Sequence, residues 1–199
     1  VRETAVVLET FARIDRNSFP AGAAALFIEN AEPETVDHLC RKILALAAMD
    51  RVRREDVEAL IDTQNPDGGF GFAKDYPSSL VDSLLAADAL NAAGFQDQMV
   101  IGKLLYYLTQ HQGRDGGFPY APDGQGSLVL TAHALRIFSS FQTRFNLASY
   151  RDRARDFVIS YQDSRGGFGE GDSTATETAL SLISLHAGGC EAALLERGR

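Results

Sequence analysis

The sequence predicts an all-α fold, a stack of about four helical hairpins in one domain over residues 1–199. Three observations carry this expectation. First, Gln64-Asn65-Pro66-Asp67-Gly68-Gly69-Phe70 returns as Gln112-Gly113-Arg114-Asp115-Gly116-Gly117-Phe118 and again as Gln162-Asp163-Ser164-Arg165-Gly166-Gly167-Phe168. The glutamines stand 48 and then 50 residues apart, a period typical of repeat architectures. Second, apolar residues between the copies recur at helical spacing. Third, no alternating strand pattern occurs anywhere.

Residues 4–14 place Val7, Leu8, Phe11 and Ile14 on a helical repeat. Asn17 to Gly22, with Pro20, ends it, and Ala23 to Ile28 reads as a short apolar turn. Pro33 and Glu34 read as a first helical turn, where Pro is tolerated and the dipole favours an acid. The helix they open would bury Val36, Leu39, Cys40, Ile43, Leu44 and Ala47. The next helix, about 53–63, turns Val57, Leu60 and Ile61 inward, and Gln64 ends it. After the first Gly-Gly-Phe, a polar loop with Pro77 leads to Ser78 or Ser79, either of which caps a helix to about Ala93. Gly94 stops that helix, and residues 97–112 then bury Val100, Ile101, Leu104, Leu105 and Leu108.

The third pass keeps register: Ser127, Leu128 and Val129 follow Ser79, Leu80 and Val81 by 48 residues. Its helix ends near Phe141, and 147–161 is the companion. The last copy leads through a shorter loop to a helix from Ser173 or Thr174 to His186, ended by Gly188-Gly189. The helix after each loop carries few charges and the helix before it carries more, which predicts an inner and an outer layer of stacked hairpins.

A chain of 199 residues can bury a sizeable core. Its net charge of −8, with scattered Lys and Arg, argues against nucleic acid or an anionic membrane as partner. Cys40 and Cys190 form no Cys-x-x-Cys pair, so two free thiols are expected and no metal knuckle. No apolar run approaches the roughly 20 residues of a bilayer span, and no signal peptide is visible. With Val1 in place of Met, an excised or processed piece is the expectation. The sequence does not set the compartment; a cytoplasmic one is favoured.

The repeated residues have structural chemistry. Gly68, Gly69, Gly116, Gly117, Gly166 and Gly167 open backbone angles closed to other residues and allow close approach. Phe70, Phe118 and Phe168 can plug gaps between hairpins, and the amides of Gln64, Gln112 and Gln162 can bond backbone groups left unpaired at helix ends. Gln-x3-Gly-Gly-Phe resembles the Gln-Trp repeat of squalene and hopene cyclases and the glycine-rich repeat of protein prenyltransferase β subunits, with Phe where the cyclases usually place Trp. The resemblance covers about residues 53–187. It implies a partial α/α toroid, with inner and outer helices around a central apolar cavity.

The catalytic groups that the resemblance implies are incomplete. Class II cyclases protonate with Asp-x-Asp-Asp before Thr-Ala. Here Thr174-Ala175-Thr176-Glu177-Thr178-Ala179 puts threonine at two of those acidic positions, leaving Glu177 as a weak acid candidate. Prenyltransferases hold zinc partly through Asp-x-Cys, which does not occur, and His133 on an inner helix is a weak second candidate. Asp75, Asp123 and Asp172 recur before the inner helices, as a carbohydrate-active toroid would need. The expectation is a cyclase- or prenyltransferase-like domain, non-catalytic alone and without cofactor or metal. It would bind an apolar, isoprenoid-like molecule or a protein segment, with other domains of a longer chain as further partners. Ala86, Leu130, Ala134, Ala179 and Leu182 are the expected binding positions. The alternatives are a cyclase or prenyltransferase piece whose catalytic residues lie outside this segment, and a carbohydrate lyase or hydrolase.

Overall fold

The structure is a computed structural model that describes residues 2–14, 21–121 and 123–190. The expected break at Pro20 lies outside them. Nine helices occur among the described residues, and the chain divides into two compact units, Val1–Tyr107 and Leu108–Arg199.

The first unit holds α1 (Arg2–Ile14), α2 (Ala21–Glu29), α3 (Val36–Ala48), α4 (Arg54–Ile61), α5 (Leu80–Ala92) and most of α6 (Gln98–Gln110). Helix α1 presents Ala5, Leu8 and Ala12 to the core and leaves Val7, Phe11 and Ile14 exposed. Small residues at this spacing let α1 approach closely, which the count of large apolar residues hid. The expected turn at 23–28 is instead α2, whose Ala21, Ala25 and Ile28 join Ala5, Leu8, Ala45 and Leu46 in one cluster. With no polar face, Ala21–Glu29 shows no period to mark a helix.

Helix α3 begins two residues after Pro33-Glu34, because Thr35 is its N-cap: the Thr35 hydroxyl accepts from the His38 N–H at 3.1 Å. It is buried almost all round, including Lys42, and Ala47 is half-buried. The Lys42 ammonium pairs with Asp56 at 2.9 Å and donates to the Ala31 carbonyl at 3.0 Å. A lysine buried to this degree needs such partners. Burial first, and then Asp37, push the free Cys40 thiol well above its usual range, which keeps it inert.

The second unit holds α7 (Leu128–Phe141), α8 (Ala148–Ser160) and α9 (Ala175–Ala187). Leu128, Ala132 and Leu135 of α7, Ala154 and Val158 of α8, Leu185 of α9 and Phe168 form its core. Short ladders that the sequence did not announce close two of the loops. In the first, β1 (Phe70–Gly71) pairs antiparallel with β2 (Ser78–Ser79); in the second, β3 (Phe118–Pro119) pairs with β4 (Gly126–Ser127). Two residues per strand are too few to show alternation. The third loop has a single bridge, Gln162 to Phe168.

Candidate functional site: the repeated loops and the helices they join

Each Gln-x3-Gly-Gly-Phe stretch folds the same way. The first glycine has a left-handed backbone, with φ of +90° at Gly68, +89° at Gly116 and +87° at Gly166. The amides do not cap the helices they end. Gln64 Nε2 donates to the Gly68 carbonyl at 2.9 Å and to the Val100 carbonyl of α6 at 3.1 Å. Gln112 Nε2 does the same with Gly116 and with Tyr150 of α8, both at 2.9 Å. Gln162 Nε2 reaches Gly166 at 3.3 Å. Gln64 and Gln112 therefore tie their own loop to the outer helix that comes next.

Phe70, Phe118 and Phe168 are fully buried. Their backbones reveal a partner that the repeat reading missed. The N–H groups of Phe70, Phe118 and Phe168 donate to the hydroxyls of Ser83, Thr131 and Thr178, each at 2.9 Å. These hydroxyls stand four residues after Ser79, Ser127 and Thr174, the three residues that precede α5, α7 and α9. The signal was present in the sequence as a Ser or Thr at a fixed offset from each cap.

The expected binding positions divide. Ala86, Leu130 and Ala134 are buried in the packing around the inner helices, whereas Ala179 and Leu182 of α9 are exposed. Glu177 sits in the first turn of α9, bonded to the N-cap residue Thr174. Its N–H donates to the Thr174 hydroxyl at 3.1 Å, its carboxylate accepts from that hydroxyl at 2.7 Å, and it accepts the Glu170 N–H at 3.3 Å. His133 is half-buried on α7. Asp75, Asp123 and Asp172 are exposed, each in its own loop. Among the described residues, no three His, Cys, Asp or Glu side chains gather as a metal site, and no helix is long and apolar enough to cross a membrane.

The hollows among the described residues of the first unit include two. One of about 600 Å³ runs along α2 and is lined by Ala23, Leu26, Phe27, Asn30, Ala31 and Glu32. Leu26 and Phe27 are 54% and 57% exposed there. The other, of about 290 Å³, lies between Thr35, Val36, Leu39, Thr63, Ala73 and Lys74.

No protein-family model and no curated protein matches this chain. Solved structures do. The ent-copalyl diphosphate synthase from Streptomyces platensis is similar with a TM-score of 0.74 and 21% identity, over 98% of this chain and 42% of that one. The Candida albicans protein geranylgeranyltransferase-I, complexed with GGPP, is similar with a TM-score of 0.64 and 18% identity, over 79% of this chain and 50% of that one. The fold is all-α, a partial α/α toroid. A terpenoid cyclase and a protein prenyltransferase are the two kinds of protein that the Gln-x3-Gly-Gly-Phe repeat resembles. The chain spans half or less of the length of these two structures.

Proposed function

We propose that this α/α-toroid chain is a binding module that holds an apolar, isoprenoid-like molecule and does not turn it over alone. The groove on α2 carries the reading. Its volume of about 600 Å³ and its Leu26 and Phe27 walls suit a hydrocarbon chain. The solved prenyltransferase of like fold is complexed with GGPP, an isoprenoid diphosphate. In this groove the polar lining is Asn30 and Glu32. Glu32 repels a diphosphate and leaves the hydrocarbon as the recognised part. The commitment of Glu177 to its cap supports binding without turnover.

The test is a fluorescence-displacement titration with geranylgeraniol and with geranylgeranyl diphosphate. Saturable binding of the alcohol, tighter than that of the diphosphate and weakened in Phe27→Ser, is the expected result. Absence of saturable binding would remove the reading. A second reading, a portion of a terpenoid cyclase or prenyltransferase whose acids or metal ligands lie elsewhere, is favoured by the partial spans of 42% and 50%. Metal-dependent diphosphate release that is lost in His133→Ala would place turnover in this chain.

A further inference from the structure

The three loops share one conformation, but among the described residues only two of them are covered. A Cβ placed on Gly68 would lie 2.3 Å from the Lys103 carbonyl oxygen of α6, and one on Gly116 would lie 2.5 Å from that of Arg153 in α8. At Gly166 the nearest atom is the Gln162 amide nitrogen of its own loop, at 4.0 Å. The second glycines repeat the contrast. A Cβ on Gly69 would meet the Tyr107 ring and one on Gly117 the Phe157 ring, while the atoms nearest a Cβ on Gly167 belong to Ser173 and Asp163 of its own loop. Gln64 and Gln112 each reach a carbonyl of the next outer helix. Among the described residues Gln162 Nε2 has only the Gly166 carbonyl, and its Oε1 is buried without a partner. Where this loop enters α9, Ala179, Leu180 and Leu182 are exposed, at the cap offsets where α5 buries Leu84, Leu85 and Ala87.

We infer that the third loop, with the start of α9, is a docking site for a polypeptide helix of the α6 and α8 kind. The covered loops define its occupant. Val100, Lys103 and Tyr107 act on loop one, and Tyr150, Arg153 and Phe157 act on loop two. Both sets are spaced three and then four residues apart. The occupant therefore presents a carbonyl to Gln162 Nε2, backbone over Gly166 three residues on, and an aromatic ring over Gly167 four residues after that. Residues with side chains at Gly68 and Gly116 would collide with that backbone, and Gly166 keeps the same left-handed angle. This surface is separate from the α2 groove, so either reading can fail without the other.

The probe is a fluorescently labelled peptide of residues 146–162 (α8 with its flanks), held helical by a lactam bridge on its exposed face. It is titrated into the full chain and followed by anisotropy. Saturable binding is expected. Removing the aromatic ring with Phe157→Ala in the peptide weakens it about tenfold or more, as for a buried interface aromatic. Gly166→Asn in the protein does likewise, since asparagine tolerates the left-handed angle yet fills the space over the loop. Circular dichroism confirms that this variant is folded. No saturable binding, or binding indifferent to both substitutions, overturns the proposal. So does self-association of the chain that Gly166→Asn abolishes, since a second copy would then be the occupant. Displacement of the peptide by geranylgeraniol also overturns it.

Discussion

Arg153 donates to the Gln112 side-chain oxygen at 2.5 Å, while the other end of that amide donates to the Tyr150 carbonyl at 2.9 Å. One side chain thus holds two sites on α8, one turn apart, against the second loop. Removing it takes one partner from the part-buried Tyr150 carbonyl and one from the Arg153 guanidinium. Gln112→Ala is expected to lower stability by roughly 1–3 kcal/mol, the range for leaving buried groups unpaired. Gln162→Ala should cost less, because Gln162 has no second carbonyl among the described residues. Equal midpoint shifts for the two variants in urea denaturation would contradict this account.

The glycines give a sharper contrast. Gly116 and Gly166 have nearly the same positive φ, so alanine costs each about 1–2 kcal/mol in backbone strain. Only at Gly116 does the new methyl also meet a helix carbonyl, at 2.5 Å. Gly116→Ala should therefore be clearly the more destabilising in thermal melting. Gly117 is restricted for another reason: its Cβ would strike Phe157 at 2.5 Å and Gly126 at 2.8 Å. At Gly117 even alanine is too large.

Thr131→Val keeps the shape of a fully buried side chain and removes the acceptor for the Phe118 N–H. A loss of about 1–3 kcal/mol is expected, with Ser83→Ala behaving alike at Phe70. Hydrogen exchange at the Phe118 amide should accelerate in Thr131→Val. An unchanged rate would show that the hydroxyl does not protect the loop.

How much of this was legible beforehand depended on range. Gly-Gly-Phe and the capping residues Ser79 and Thr174 act within a few residues of themselves, so the loops, inner helices and stops could be read from the chain. The hydroxyls of Ser83, Thr131 and Thr178 were equally visible but bond backbone, which leaves no partner in the pattern. The burial of Lys42 was not legible, because Asp56 and the Ala31 carbonyl meet it only through tertiary packing. The binding positions suffered for the same reason. Alanine and leucine on an inner helix read alike whether a cavity or a neighbouring helix faces them, and Ala86, Leu130 and Ala134 face packing.

Tyr107 supplies a pH test. Burial, and then the nearby Asp67, push its phenol up to about 12 from an ordinary 10, against a lowering by its bond to Ser83. Between these values the unfolded chain has lost the proton and the folded chain keeps it, so stability falls as pH rises from about 10 to about 12. Tyr107→Phe should flatten that fall, seen as a smaller loss of melting temperature between pH 9 and 11 (values chosen to bracket the ordinary phenol). An undiminished fall would assign the alkaline sensitivity to another group.

The tie from each glutamine to the following outer helix also sets an order in time. Gln64 waits for Val100, 36 residues later, and Gln112 for Tyr150, 38 residues later. During synthesis from the N-terminus, a loop leaves the ribosome well before the carbonyl that completes it. Each of the first two repeats is therefore finished by its successor, and the growing chain carries a loop still open to solvent until that helix is made. Arrest just before α8 should leave the second loop sensitive to protease while the first is already protected.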